Sequence, residues 1–174
     1  MTAPHPPFSI RPARPDDCGT IACLIRDLAV YERLEDQAKA TAEDLRRNLF
    51  GPRPYAEALV AEVEGAAAGF ALFFHNFSTF RGQPGIYLED LFVRPEFRAR
   101  GIGRAFLAHL AKLAQDRGCG RLEWAVLDWN EPAIQFYRSL DASPMDDWTI
   151  FRLADGPLSS LAERAGEGAK AVIL

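Results

Sequence analysis

The segment Arg98-Ala99-Arg100-Gly101-Ile102-Gly103 stands between a strand-like run and a helix-like run. A helix N-terminus presents N–H groups without intrahelical acceptors and a partial positive charge. Glycine lets the backbone curl around a phosphate oxygen with no Cβ in the way. Arg94, Arg98, Arg100 and Arg104 add positive charge to the same stretch. The chemistry these residues suit is the binding of a phosphorylated ligand. Two glycines also fit a plain turn before a surface helix. A nucleoside-triphosphate loop is excluded, because no Gly-Lys-Ser/Thr follows, and a dinucleotide fingerprint needs glycine where Phe106 stands.

Two adjacent carboxylates, Glu89 and Asp90, come just before the apolar Leu91-Phe92-Val93. Strand neighbours point to opposite faces, so at most one of the pair faces a site unless a bulge re-aims the other. A surface carboxylate at a strand end is the other reading of each. Asn130 suits the N-cap of a helix with Pro132 in its first turn. His5, His75 and His109 have no ligand-like spacing, and no metal is expected. Cys18, Cys23 and Cys119 are odd in number and lack zinc-type pairing, so they are read as reduced thiols.

The elements that must position these groups follow from periodicity. Ile10-Arg11-Pro12 is a short strand. Asp16 or Asp17 caps a helix reaching about Tyr31, with Ile21, Leu24, Ile25 and Leu28 on one face. Thr41 and Asp44 form an imperfect capping box for a second helix that Gly51-Pro52-Arg53-Pro54 breaks. Strands are expected at 58–63, 69–77, 86–93, 121–127 and 148–153, with a turn at Gly65 and a loop over 78–85. A helix is expected from about Arg104 to Arg117, ended by Gly118, and another from Asn130 to about Leu140. Residues 154–174 suit a short helix and a tail. Strands mixed with helices, including a strand–turn–helix–strand unit, indicate an α/β sheet that is partly antiparallel.

Arg98–Gly103 matches the (Arg/Gln)-x-x-Gly-x-(Gly/Ala) loop of the Gcn5-related N-acetyltransferases, which the chain resembles over roughly 8–153. Asn130-Glu131-Pro132-Ala133 and Phe136-Tyr137 are similar to that family's second signature. The resemblance implies a single α/β domain over 9–154 with a central mixed, largely antiparallel sheet flanked by helices. A flexible tail over 1–8 and an extension over 155–174 would flank it. It implies acetyl-CoA as cosubstrate, bound by Leu91, Phe92, Val93, Arg98, Ala99, Arg100, Gly101, Ile102, Gly103, Arg104, Asn130 and Ala133. Capping explains Asn130 equally well. Tyr31-Glu32, Tyr87-Leu88-Glu89-Asp90 and the run 125–132 look similar to the diamine and thialysine branch. In that reading Tyr31, Glu32, Glu89, Asp90, Glu123, Trp124 and Ala125 line the amine site. Trp124, Trp129 and Trp148 fit an amine channel or the core. The branch commonly carries glycine where this chain has Ser139-Leu140-Asp141-Ala142, so a left-handed turn falls on Asp141.

The reaction implied is direct attack of an amine on a thioester. A lysine-like amine has a pKa near 10.4, so its neutral form at pH 7 costs roughly 4.6 kcal/mol. The resemblance makes Glu89 the carboxylate that holds the amine and passes on its proton, although a nearby carboxylate also favours the charged amine. It makes Tyr137 the general acid for the departing thiolate, since a tyrosine is protonated at pH 7. A core tyrosine is the other reading, because Ile134, Phe136 and Leu140 are apolar too. Backbone N–H groups near Val93 would polarise the acetyl carbonyl.

The 174 residues suit one domain, and the net charge of −4 gives no bulk attraction to nucleic acid. No apolar run is long enough to span a membrane, and residues 1–8 lack a signal pattern, so a cytoplasmic enzyme is expected. The expected acceptor is a polyamine or a lysine-like small molecule. Protein amines and a non-catalytic acyl-CoA sensor are the alternatives, and a homodimer is expected by analogy with the branch.

Overall fold

The computed structural model describes residues 6–165. It divides into two compact units, 1–125 and 126–174. The first holds a five-stranded mixed sheet in the order β1-β2-β3-β4-β5. Its elements are β1 (Phe8–Pro12), α1 (Cys18–Glu32), α2 (Ala42–Phe50), β2 (Glu57–Val63), β3 (Ala66–Ser78), β4 (Gln83–Val93), α3 (Ile102–Asp116) and β5 (Leu122–Trp124). The first four strands pair antiparallel, and β5 runs parallel to β4 after the α3 crossover. Parallel neighbours need such a crossover, whereas antiparallel ones need only a hairpin.

Local chemistry accounts for the joints. Glu64 and Gly65 both have positive φ, 51° and 81°, which suits the two-residue turn from β2 to β3. The Thr41–Asp44 capping box is complete: Asp44 N–H donates to Thr41 Oγ1 and Thr41 N–H to Asp44 Oδ2, each at 3.1 Å. Asp17 precedes α1 but makes no side-chain cap. Its carboxylate instead accepts from the Arg11 guanidinium at 2.7 Å and from the Arg14 N–H at 2.6 Å. Arg11 also donates to Glu62 at 2.6 Å, which ties β1, β2 and the start of α1 together. Those bonds hold the Asp17 carboxyl below its usual range.

The core on the α1–α2 side contains Ile21, Leu24, Leu28, Leu45, Leu49, Val60, Phe70 and Phe92. Ile102, Phe106 and Leu110 of α3 are also buried. Gly69 is needed where β3 and β4 meet, because a Cβ there would lie 2.3 Å from the Phe92 carbonyl oxygen.

The second unit contains α4 (Glu131–Arg138) and α5 (Asp155–Glu163). Asp141 follows α4 with φ 61°, the left-handed turn expected there. Several boundaries differ from expectation; β1 begins at Phe8 rather than Ile10, and β3 at Ala66 rather than Gly69. Strand β4 begins at Gln83 rather than Ile86, and α3 begins at Ile102 rather than Arg104. Strand β5 stops at Trp124, short of Leu127, and no strand forms over 148–153. The expected tails lie partly outside the described residues, at 1–5 and 166–174.

Candidate active site

In β4 and its neighbours the pairing register locates the carboxylates. Leu88 opposes Phe73 and Asp90 opposes Leu72, so Glu89 is the extra residue of a bulge. Directly opposed residues share a face of the sheet. Leu88 therefore shares the side of the buried Phe73, while Asp90 shares the side of Leu72, which packs on the α1–α2 core. Without the bulge Leu88 and Asp90 would point the same way. Glu89 is exposed and Asp90 is half-buried.

Glu32, the last residue of α1, completes an acidic group with these two. Burial, followed by the negative charges of Glu89 and Glu32, pushes the Asp90 carboxyl up to about 6. Burial alone raises Glu32. A carboxyl raised by burial gains from a nearby cation, which favours its charged form. Tyr31, beside Glu32, lies under the guanidinium of Arg98 at 4.6 Å from its ring centre.

Strand β4 also supplies an open edge. Its pairing to β5 covers Ile86, Tyr87 and Leu88 and ends there. Beyond Leu88, Leu91, Phe92 and Val93 pair with β3 on one side, and among the described residues no strand pairs on the other. An extended amide-bearing ligand could hydrogen-bond there as a strand does.

The loop after β4 has the geometry expected of an anion cradle. Ala99 and Gly101 both take left-handed φ, 60° and 82°, and Gly101 is the N-cap of α3. Such alternation turns successive N–H groups to one side, and the first turn of α3 adds its own. Ile102 is buried and fixes the helix to the core, while Gly103 is half-buried. The arginines are less free than the sequence alone suggests. Arg94 donates to Asp27 of α1 at 3.1 Å. Arg98 Nε donates to the Val93 carbonyl at 2.9 Å, and Arg100 donates to the Glu96 carbonyl at 3.2 Å. Arg104 is exposed on the first turn of α3.

Glu123 is already engaged. Asn76 Nδ2 donates to its Oε2 at 2.8 Å, and Arg121 Nε lies 2.8 Å from the same oxygen. Trp124 and Ala125 follow it on and just past β5. In the second unit, Asn130 is buried and caps α4 by accepting from Ala133 N–H at 3.4 Å. Tyr137 lies on α4, half-buried, with its ring centre 5.4 Å from that of Phe136. Among the described residues no three His, Cys, Asp or Glu side chains are grouped to hold a metal.

Comparison with known proteins decides the family. Residues 24–141 match the model of the acetyltransferase (GNAT) family. The chain belongs to that family. Thialysine N-epsilon-acetyltransferase of Bos taurus is 41% identical over 164 residues, covering 88% of this chain and 96% of that protein. L-Ornithine N5-acetyltransferase of Arabidopsis thaliana is 32% identical, covering 90% of this chain and 89% of that protein. An integron cassette protein from the mobile metagenome of V. cholerae superposes with a TM-score of 0.77 at 27% identity, covering 90% of this chain and 98% of that one. As a GNAT member the protein is an acetyl-CoA-dependent N-acetyltransferase that acts on amines. The α/β fold with its mixed sheet is as the sequence resemblance implies.

The bulge at Glu89, the burden on Asp90 and the Arg98–Tyr31 stack were not legible from residue types. The one available signal was the Glu89-Asp90 adjacency, since two neighbouring carboxylates before a strand fit one site only if the backbone breaks its alternation.

Proposed function

We propose that the protein acetylates the primary amine of a small cationic molecule, a thialysine- or lysine-like amino acid or a polyamine, in the cytoplasm. The observation that carries this reading is the half-buried Asp90 carboxyl at the β4 bulge, raised by burial and then by the negative charges of Glu89 and Glu32, which a bound ammonium offsets. The curated relatives named for thialysine and ornithine support a small acceptor of that charge.

Acetyl-CoA supplies the acetyl group as an activated thioester. The residues present fit it. The N–H groups of Ala99–Gly103 and the first turn of α3 hold the pyrophosphate. The open edge at Leu91–Val93 pairs with the pantetheine arm, and its N–H groups polarise the acetyl carbonyl. The resemblance gives Asn130 and Ala133 to the coenzyme as well.

Asp90 and Glu32 hold the acceptor as an ammonium, and Tyr31 with Trp124 and Ala125 lines its aliphatic part. Glu123 joins them only by giving up its ion pair with Arg121. Glu89, exposed at the bulge, passes the ammonium proton to water. That removal must offset the roughly 4.6 kcal/mol that separates the ammonium from the amine at pH 7. Tyr137 donates its phenol proton to the departing thiolate. The enzyme works as a homodimer.

The test is thiol release from acetyl-CoA with thialysine, lysine, ornithine, putrescine, spermidine and a lysine peptide, beside Tyr137→Phe. Release that depends on a small amine and falls about 10²–10⁴-fold in the variant supports the reading. Release with the peptide alone would mean a protein acceptor. Saturable acetyl-CoA binding with no release for any amine would mean a sensor.

A further inference from the structure

The face of the sheet that carries Asp90 also carries a second charged group. Asn76 opposes Gly85, Phe74 opposes Tyr87 and Leu72 opposes Asp90. Tyr87 lies beside Glu123 of β5. Side chains two apart on a strand share a face, and so do those of neighbouring strands at one register position. Asn76, Arg121 and Glu123 therefore stand on the Asp90 side, to which the bulge at Glu89 turns Asp90. Asn76 and Arg121 meet over Gly85. A Cβ there would lie 2.3 Å from Asn76 Oδ1 and 2.9 Å from Arg121 Cγ, so only glycine lets both side chains close over the strand.

The three polar groups are unevenly matched. Glu123 Oε2 accepts from Asn76 Nδ2 at 2.8 Å and also has Arg121 Nε at 2.8 Å. The Arg121 N–H is not aimed at that oxygen. Arg121 Nε and Asn76 Oδ1 are both buried without a hydrogen-bond partner among the described residues. A guanidinium binds a carboxylate best through two parallel bonds, and this pair lacks them. The Arg121 and Glu123 side chains are 34% and 33% exposed, so a solute reaches both. A pair of this kind adds little to stability, and its buried unsatisfied atoms need a reason beyond folding.

Three strand steps of about 3.3 Å separate Tyr87 from Asp90, less what the bulge takes up. The Arg121–Glu123 pair thus lies roughly 7–10 Å from the carboxyl proposed to hold the reacting amine. An extended lysine-like side chain puts about 6–8 Å between its amine and its carboxylate. We infer that Arg121 selects an amino acid as acceptor, its guanidinium binding the α-carboxylate while Glu123 takes the α-ammonium. The zwitterionic end of the acceptor enters the pair, and each half-buried ion exchanges one partner for another. A polyamine offers a cation to Glu123 but leaves Arg121 facing that cation with no carboxylate, which disfavours it. Asn76 and Gly85 are positioning residues. Asn76 holds Glu123, and Gly85 leaves the space in which Arg121 lies. This rests on the small-amine reading and deepens it, by choosing the amino acid over the polyamine.

The experiment compares lysine with cadaverine, which is lysine without its carboxylate, in the unaltered enzyme and in Arg121→Met, Arg121→Lys and Gly85→Ala. Thiol release from acetyl-CoA gives kcat/KM for each amine, and thermal unfolding checks the fold of each variant. The unaltered enzyme should prefer lysine by at least about tenfold, the effect of one charge-assisted pair. Arg121→Met should lose about 10–100-fold on lysine, mostly in KM, and hold or raise its rate on cadaverine. Arg121→Lys should recover part of the lysine rate, because it keeps the charge without the fork. Gly85→Ala, which displaces Arg121, should lower the lysine-to-cadaverine ratio as well. A ratio unchanged in Arg121→Met or in folded Gly85→Ala would make the cluster structural and overturn the inference. An unaltered enzyme that prefers cadaverine or spermidine to lysine would also overturn it, and would leave the small-amine reading standing. Release with no small amine would overturn that reading itself, and the inference with it.

Discussion

The Arg98 guanidinium lies 4.6 Å above the ring of Tyr31 while its Nε donates to the Val93 carbonyl at 2.9 Å. One side chain therefore joins three elements: the end of α1, the end of β4 and the start of the glycine loop. Tyr31 adjoins Glu32, so Arg98 links the loop proposed for the pyrophosphate to the residues proposed for the amine.

Arg98→Gln keeps a donor for the Val93 carbonyl but removes the cation over Tyr31. An exposed cation–π contact is worth about 0.5–1 kcal/mol. The expected outcome is an acceptor KM raised by about two- to fivefold, with a smaller rise in the acetyl-CoA KM. Steady-state kinetics with each substrate varied in turn checks it. A change confined to the acetyl-CoA KM would limit Arg98 to the coenzyme loop.

Asp90→Asn should make the free protein more stable above pH 6. The Asp90 carboxyl is raised from 3.8 to about 6 by burial and by Glu89 and Glu32. A raised carboxyl opposes folding once it ionises, so its cost appears as pH climbs from about 4 through 6 and persists above. Removing it should stabilise by no more than about 3 kcal/mol at pH 7.5 and by little at pH 3.5. Urea denaturation at the two pH values measures the difference. An equal effect at both would place the cause in packing rather than charge.

The same group sets a limb in acceptor binding. As pH falls through about 6, Asp90 gains a proton and loses its pull on an ammonium. Acceptor affinity should fall about three- to tenfold between pH 7.5 and 5 and rise again on return. Calorimetric titration of the amine into the acetyl-CoA-free or coenzyme A-bound enzyme checks it. In Asp90→Asn the limb should vanish. A limb that survives there would belong to another group.

These relationships show where sequence and structure part. The capping box at Thr41 and Asp44 and the Gly118 terminus of α3 were legible because each depends on residues a few positions apart, whereas the left-handed Asp141 was suggested only by the glycine that the branch carries there. The glycine loop was legible for the same reason: Gly101 takes φ 82°, which few other residues tolerate. The bulge at Glu89 was not, since it arises from the register between β3 and β4, residues 72–73 against 88–90. The engagement of Glu123 by Asn76 spans 47 positions, and that of Arg94 by Asp27 spans 67. The strand expected over 148–153 misled for a related reason. Propensity identifies a segment suited to a sheet, but the partner edge decides whether it becomes a strand.

Gly101→Ala isolates the loop's backbone from its side chains. A Cβ at Gly101 would meet nothing within 4 Å, so sterics do not forbid it. The φ of 82° does the damage, because alanine is strained there by about 1–2 kcal/mol. The loop is expected to relax away from that φ and turn its N–H groups off the anion. Acetyl-CoA affinity should fall at least about tenfold, with stability lower by about 1 kcal/mol. Binding of desulfo-coenzyme A and thermal unfolding separate the two effects. Equal affinity would remove the cradle from the mechanism.

Asn130 offers two roles that one pair of substitutions can divide. Its side-chain oxygen caps α4 by accepting from the Ala133 N–H at 3.4 Å. Its amide also has N–H donors that a coenzyme could use. Asn130→Asp keeps an acceptor of the same shape and so keeps the cap, while it discards the donors. Asn130→Ala discards both, and because the residue is buried it also leaves the first-turn N–H groups without that acceptor. If the side chain serves the protein alone, the aspartate variant should keep its acetyl-CoA KM, and any loss of stability reports the burial of its charge. The alanine variant should then lose about 0.5–2 kcal/mol, together with activity, because α4 carries Tyr137. If the amide donates to the coenzyme, the aspartate variant should show a raised acetyl-CoA KM, since its negative charge also repels a phosphorylated ligand. Thermal unfolding and coenzyme kinetics on the two variants therefore read the two roles on separate axes.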